Sequence, residues 1–322
     1  MEYVNLGNTG LKVSKLCLGC MGYGQNEKGG IQGKTSEKEA KEIIKHAYKQ
    51  GINFFDTANY YALGESERIL GEAIDELGVR DEVVIATKLY YPMYDGANAK
   101  GLNRKAIFRE VENSLKRLKT DYIDLYIIHR WDYTTPIEEV MCALNDLVRM
   151  GKVRYIGASA MFAWQFMEAN AVAKEHGWTQ FISMQDTLNL LNREDEREMV
   201  KMCQYKNIAI TPFSPIAHGA LVKPYDAPRV DGLGKLQNEY VLKHDQEIVK
   251  RVWEVATNKE ATPTQIAIAL LLSKPYITAP IVGGGKQKYV DEAIKAMDIK
   301  LTDKEIKYLE EPYVPHTIYG FR

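Results

Sequence analysis

The chain predicts an α/β fold, and within that class a closed (β/α)8 (TIM) barrel with additional helices and loops at its ends. Three observations carry this. Short apolar runs alternate with amphipathic helical stretches, which implies a mostly parallel sheet. The unit repeats until eight strand candidates are present, a number that suits closure. An open dinucleotide-binding sheet would carry G-x-G-x-x-G after its first strand. That place instead holds Gly19-Cys20-Met21-Gly22-Tyr23-Gly24, with neither the spacing nor a helix directly after it.

The elements follow in order. After a turn at residues 6–10, residues 16–19 read as the first strand. Ser36, with Glu39 three positions on, forms a capping box that opens a helix. Its Ala40, Ile43, Ile44, Ala47 and Tyr48 share one face, and it stops at Gly51. Residues 53–56 form the second strand, and Ile69, Leu70, Ala73, Ile74 and Leu77 mark the next helical face. Residues 83–88 and 124–129 are the third and fourth strands. Helices follow Asn103 (Ile107, Val111, Leu115, Leu118) and Pro136 (Val140, Leu144, Leu147, Val148). Residues 155–159, 181–185, 209–214 and 279–283 complete the eight. The polar stretch 223–243 reads as a loop inserted over the barrel mouth, and residues 248–256 as an extra helix. No composition break divides the chain, so residues 1–322 read as one domain.

Composition excludes several classes. With 45% hydrophobic and 26% charged residues, the 322-residue chain has ample material for a core. A net charge of −1 provides no field for nucleic acid or an anionic membrane. No run of about 18 uncharged apolar residues is present, and the opening Met1-Glu2-Tyr3-Val4 has no cationic start. The expectation is a soluble cytoplasmic protein acting on a small molecule. Four cysteines make no disulfide framework. Cys17 and Cys20 lie three apart on a strand and so face opposite sides, which suits buried thiols better than zinc or redox chemistry. His46, His176, His218, His244 and His316 have no ligand spacing and are expected on surfaces or loops.

Asp56, Lys88 and His129 each end an apolar run, and Tyr61 follows five residues after Asp56. In a barrel, catalytic groups collect at the carboxyl ends of the strands. Each residue alone has an ordinary packing role; their combination points to chemistry. A free phenol with a pKa of about 10 is a poor acid at neutral pH. A nearby Lys88 ammonium favours the phenolate and makes Tyr61 a better proton donor. Asp56 holds Lys88 charged and in place, and His129 hydrogen-bonds a substrate oxygen or relays the proton. This chemistry requires no metal.

Asp56-Thr57-Ala58-x-x-Tyr61, then Gly64-Glu65-Ser66-Glu67, Lys88, and residues 121–129 ending in His129 together resemble the aldo-keto reductase superfamily. The match continues through residues 151–159, 213–217 and 281–292, nearly end to end. The resemblance implies a (β/α)8 barrel with a small hairpin capping its bottom, and reduction of a carbonyl substrate by a nicotinamide cofactor. It also admits a cofactor-sensing, non-catalytic barrel like the channel-associated β subunits of the same superfamily.

The resemblance further implies the cofactor contacts. Gly19, Cys20 and Met21 are expected at the nicotinamide end, Ser159 and Gln185 on its carboxamide, and Phe213 stacked on its ring. Ala160 stands where relatives often carry an Asn. Ser214, Ile216, Ala217, Gly219 and Leu221 are expected along the pyrophosphate. Gly283 and Gly285, between the eighth strand and a helix, allow close approach of backbone amides to a phosphate. Lys286 stands where relatives hold the 2′-phosphate and Glu292 where they hold the adenine amine, so NADP is the expected cofactor. Tyr289 and Ala293 replace an Arg and an Asn often found there. Met21, Tyr60, Tyr90, Tyr94 and Trp131 follow strands and are expected to line a mouth suited to aromatic or medium-length apolar aldehydes.

Overall fold

The computed structural model describes residues 1–224, 245–316 and 318. The chain opens with an antiparallel hairpin, β1 (Tyr3–Asn5) and β2 (Lys12–Ser14), which pairs Tyr3 with Ser14. Eight parallel strands follow: β3 (Cys17–Gly19), β4 (Phe54–Asp56), β5 (Val84–Leu89), β6 (Ile123–Ile128), β7 (Val153–Ser159), β8 (Phe181–Gln185), β9 (Ala209–Ile210) and β10 (Ile281–Gly283). Their order is β10-β3-β4-β5-β6-β7-β8-β9. The two ends of that order meet. The Ile281 amide donates to the Pro212 carbonyl at 2.8 Å, and the Thr278 amide to Ile210 at 2.9 Å. The result is a (β/α)8 barrel. Of the expected strand 209–214, only Ala209–Ile210 enters the ladder, because Pro212 has no N–H to donate.

Helices cover the outside: α1 (Glu37–Lys49), α2 (Glu65–Leu77), α3 (Arg104–Leu118), α4 (Ile137–Arg149), α5 (Ala163–Glu175), α6 (Met199–Lys206), α7 (Gln246–Asn258), α8 (Pro263–Ser273), α9 (Gln287–Ala296) and α10 (Asp303–Glu310). The Ser36/Glu39 capping box forms as expected, with the two side chains bonding each other's backbone amides. α7 is the expected extra helix. α5 and α8 have no clean apolar stripe, which is why periodicity does not announce them. In α8 the run from Ile266 to Leu271 is buried on every side. The loop expected at 223–243 lies outside the described residues beyond Pro224.

Side-chain alternation sorts the strands into two cores. Cys17, Phe54, Val84, Ala86, Leu125, Ile127, Ala209 and Ile281 pack inside the barrel, closed below by Leu6 and Val13 of the hairpin. Leu18, Cys20, Phe55, Ile85, Tyr126, Ile128 and Met184 face the helices. Cys17 and Cys20 therefore lie on opposite sides, both buried and free. Gly7 adopts φ +60, and a Cβ there would sit 2.8 Å from the Ile182 carbonyl, so only glycine lets the hairpin turn lie against the barrel floor. His46 pairs with Asp291 near the surface. Two of the histidines expected on surfaces or loops do lie in loops but are enclosed. His218 is half-buried against Ser214, and the His316 side chain, only 5% exposed, meets Asp245. His244 lies outside the described residues. No described helix is long and apolar enough to cross a membrane.

Candidate active site

The inward parity of the strands carries forward to their carboxyl ends. It places Asp56, Lys88, His129, Ser159 and Gln185 around one opening. Lys88, fully buried, donates from Nζ to Asp56 Oδ1 at 2.5 Å, the Thr57 carbonyl at 2.8 Å and Tyr61 Oη at 3.3 Å. The Tyr61 and His129 rings meet edge to face, with centroids 5.9 Å apart. The structure thus selects Tyr61 over its neighbour Tyr60, which turns to the rim and stacks on Tyr91 at 4.8 Å. Tyr61 is held by a strained turn in which Ala62, Leu63 and Gly64 all adopt positive φ. Backbone bonds from Ile31 to Tyr60 and from Ala62 to Ile31 brace that turn.

Charge in this cluster follows from burial. Desolvation pulls the Lys88 pKa down, yet the Asp56 carboxylate and the Tyr61 oxygen outweigh it and hold the ammonium above its ordinary value. Burial pushes the Tyr61 phenol up, and the pull of Lys88 does not overcome it. Lys88 acts on Tyr61 in the expected direction, but burial outweighs it and the phenol sits above its ordinary value. Burial, then Lys88 and Arg130, push His129 well below the usual imidazole value, so its ring is neutral. Its buried Nδ1 has no hydrogen-bond partner among the described residues.

The residues expected at a cofactor fall along β7 to β10 and the neighbouring end of β3. Gln185 donates to Asp56 Oδ2 at 3.0 Å, and Ser159 to the Gln185 carbonyl at 2.7 Å, which joins the two to the Lys88 cluster. Phe213 is half-buried at the top of the barrel interior. Ser214, Ala217 and His218 adopt positive φ, and the Ser214 carbonyl is pinned by Asn189. The side chains of Ala217 and Leu221 pack into a satellite core with Ile248 and Ile266, and Cys20 points into the outer core. These three therefore offer backbone to a ligand, not side chain. Gly19 and half-buried Ile216 and buried Gly219 line the same strip, with Met21 exposed beside it. A Cβ on Gly283 would meet nothing within 4 Å, and one on Gly285 only the Tyr289 ring. Lys286 is the exposed N-cap of α9, without a side-chain cap bond, and Glu292 lies two turns on. Free helix N–H groups under open glycines fit a phosphate.

Comparison with known proteins decides the family. The model of the aldo/keto reductase family matches residues 15–313. The chain belongs to that family. It is 43% identical to a versiconal hemiacetal acetate reductase of Aspergillus parasiticus, over 99% of each chain. It is likewise 43% identical to a putative aryl-alcohol dehydrogenase of Saccharomyces cerevisiae over 98% of each, and 39% identical to an aldo-keto reductase of Alternaria alternata over 99% of this chain and 93% of that one. As a member of the family it is an oxidoreductase acting on small carbonyl compounds, a group that generally uses nicotinamide cofactors.

Within this aldo/keto reductase the structure adds supports that residue types alone do not reveal. Ser66 donates to the Cys20 carbonyl and bonds Thr57 Oγ1, tying the end of β3 to the Asp56 loop. Glu67, fully buried, accepts from Thr87 Oγ1 at 2.6 Å and pairs with Arg117 at 2.6 Å, bracing β5 directly behind Lys88. The signal was present in Gly64-Glu65-Ser66-Glu67, but its role needs the fold. Asp132 accepts from the Leu102 and Thr134 amides and so fastens two mouth loops together. Among the expected mouth residues, Tyr94 turns away to Arg109, whereas Trp131 packs against Trp164 at 6.1 Å.

Proposed function

We propose that this chain reduces aldehydes and ketones to alcohols with NADPH, using Tyr61 as the proton donor, as one domain acting in the cytoplasm. The observation that carries the reading is Lys88 Nζ lying between Asp56 Oδ1 and Tyr61 Oη, beside a neutral His129, at the mouth of the barrel. Aromatic aldehydes are the favoured substrates. Tyr60 and Tyr91 supply flat apolar surface beside His129, and three relatives bear the name putative aryl-alcohol dehydrogenase.

When bound, the reduced nicotinamide supplies a hydride to the carbonyl carbon. The electron pair of the C=O bond then moves to oxygen, and Tyr61 gives its proton to the alkoxide. The high resting pKa of Tyr61 keeps that proton in place until it is needed. Lys88 stabilises the phenolate left behind, which regains a proton from solvent. Neutral His129 donates a hydrogen bond to the substrate oxygen, a fixed dipole where charge develops. Gln185, Ser159 and Phe213 are assigned to the nicotinamide, and Gly283, Gly285, Lys286 and Glu292 to the adenosine end. The test is loss of reduced-nicotinamide absorbance with benzaldehyde. Turnover with NADPH supports the reading, and tight cofactor binding without turnover on any aldehyde in a panel ends it.

A further inference from the structure

Arg130 follows His129 and sits half-buried at the mouth. Every other half-buried arginine described, namely Arg68, Arg80, Arg109, Arg117, Arg193 and Arg251, holds a carboxylate within 4 Å. Arg130 has none among the described residues. Its one hydrogen bond is from Nη1 to the His129 carbonyl at 2.9 Å, which leaves most of its five donors unused. Its guanidinium lies 5.8 Å from the centre of the Tyr91 ring, and that ring faces His129 at 5.0 Å and stacks on Tyr60. The charge reaches the reacting groups, since it helps to depress both His129 and Tyr61. Asp186, a buried carboxyl within electrostatic reach of the guanidinium, does not come to ion-pair distance. Burial and Asp195 push the Asp186 carboxyl up, and Arg130 pulls it down without forming an ion pair with it. A partly desolvated cation without an ion pair among the described residues, beside the Tyr91 ring, suits an anion carried on an aromatic ring.

We infer that Arg130 is a specificity-determining residue and that the preferred substrates are aromatic aldehydes bearing a carboxylate, whose ring packs on Tyr91 while the carboxylate meets the guanidinium. This deepens the carbonyl-reductase reading and rests on it. A charge-assisted pair is worth roughly ten- to a hundredfold in affinity. In the wild type, kcat/KM for 4-carboxybenzaldehyde should therefore exceed that for its methyl ester by about tenfold or more. Arg130→Gln should bring the ratio close to one, and Arg130→Lys should retain part of it; a ratio cancels any general loss of rate. Equal wild-type rates on acid and ester, or a preference for the ester, overturn the inference while leaving the reductase reading intact. Absence of turnover on both, and on benzaldehyde, ends the reductase reading. The anion site is then decided by binding alone, with 4-methylbenzoate expected to quench Trp fluorescence at lower concentration than 4-methylbenzamide, and equal quenching counting against it. If Arg130→Gln weakens NADPH binding and leaves the acid-to-ester ratio unchanged, the anion is a cofactor phosphate and the assignment to substrate is overturned. Should Arg130→Gln not fold by thermal melting, the wild-type and Arg130→Lys ratios decide.

Discussion

A phenol serves as a general acid only where its proton is present at rest and its conjugate base is stabilised at the moment of transfer. Tyr61 meets both conditions through separate neighbours. Burial holds the proton, and Lys88, kept charged by Asp56, waits 3.3 Å from the oxygen. Tyr61→Phe should lower kcat by about 10²- to 10⁴-fold while the Kd for NADPH, read by fluorescence titration, stays within a few fold. A variant that keeps full activity would remove Tyr61 from its role. Lys88→Met should lose a comparable factor and also change the pH profile. Lys88 pulls the Tyr61 pKa down, so its removal should move the alkaline limb of kcat/KM to higher pH. A limb that stays put or moves to lower pH would contradict this electrostatic account.

At the scale of elements, the site depends on β5 being held in register behind Lys88. Thr87 alternates to the outer face of β5, where Glu67 from α2 grips it and Arg117 from α3 neutralises Glu67. Glu67→Ala leaves Arg117 without its partner and Thr87 without an acceptor, a change worth about 3 kcal/mol of stability. Urea unfolding should report a lower midpoint with an unchanged slope. Gly64 starts α2 at φ +97, and an added Cβ would run into the Arg117 side chain. Gly64→Ala should therefore also destabilise and disturb the turn that aims Tyr61, so its kcat should fall together with its melting temperature. By contrast, Thr302→Ala removes the side-chain cap of α10, beyond the end of α9 that points away from the mouth. It should cost about 1 kcal/mol and leave kcat unaltered, separating general destabilisation from damage to the site.

For the molecule as a whole, closure of the sheet turns one end into a ring of loops, and the cofactor strip we propose crosses that ring from β7 to β10. In the proposed binding mode the adenosine end would rest on Lys286 at the α9 N-terminus, with exposed Tyr289 nearby and no described arginine beside it. NADPH should be preferred over NADH by a moderate factor, roughly ten- to a hundredfold. Lys286→Ala should lose that preference chiefly through KM for NADPH, as a comparison of kcat/KM for both cofactors will read. Equal loss on both, or a wild-type preference for NADH, would sink the assignment.

What the sequence determined by itself is whatever depends on local pattern. Alternating apolar runs specify strands, and the parity of each strand carries Asp56, Lys88 and His129 inward with it. Helices with a clean apolar face, such as α1 to α4, are legible for the same reason. Much of the site was therefore readable as residue types at strand ends, and the order of its motifs pointed to the family. The tertiary structure decided what depends on distance between remote segments. It chose Tyr61 over Tyr60, because only one of two adjacent phenols reaches an ammonium anchored 27 residues later. It balanced burial against the pull of Lys88 on that phenol, placed Glu67 behind β5, and left Arg130 without an ion pair among the described residues. It also revealed α8, whose all-round apolar surface has no period to read because both of its sides are buried. Desolvation, pairing and burial are properties of neighbours in space, and a chain acquires those neighbours only when the barrel closes.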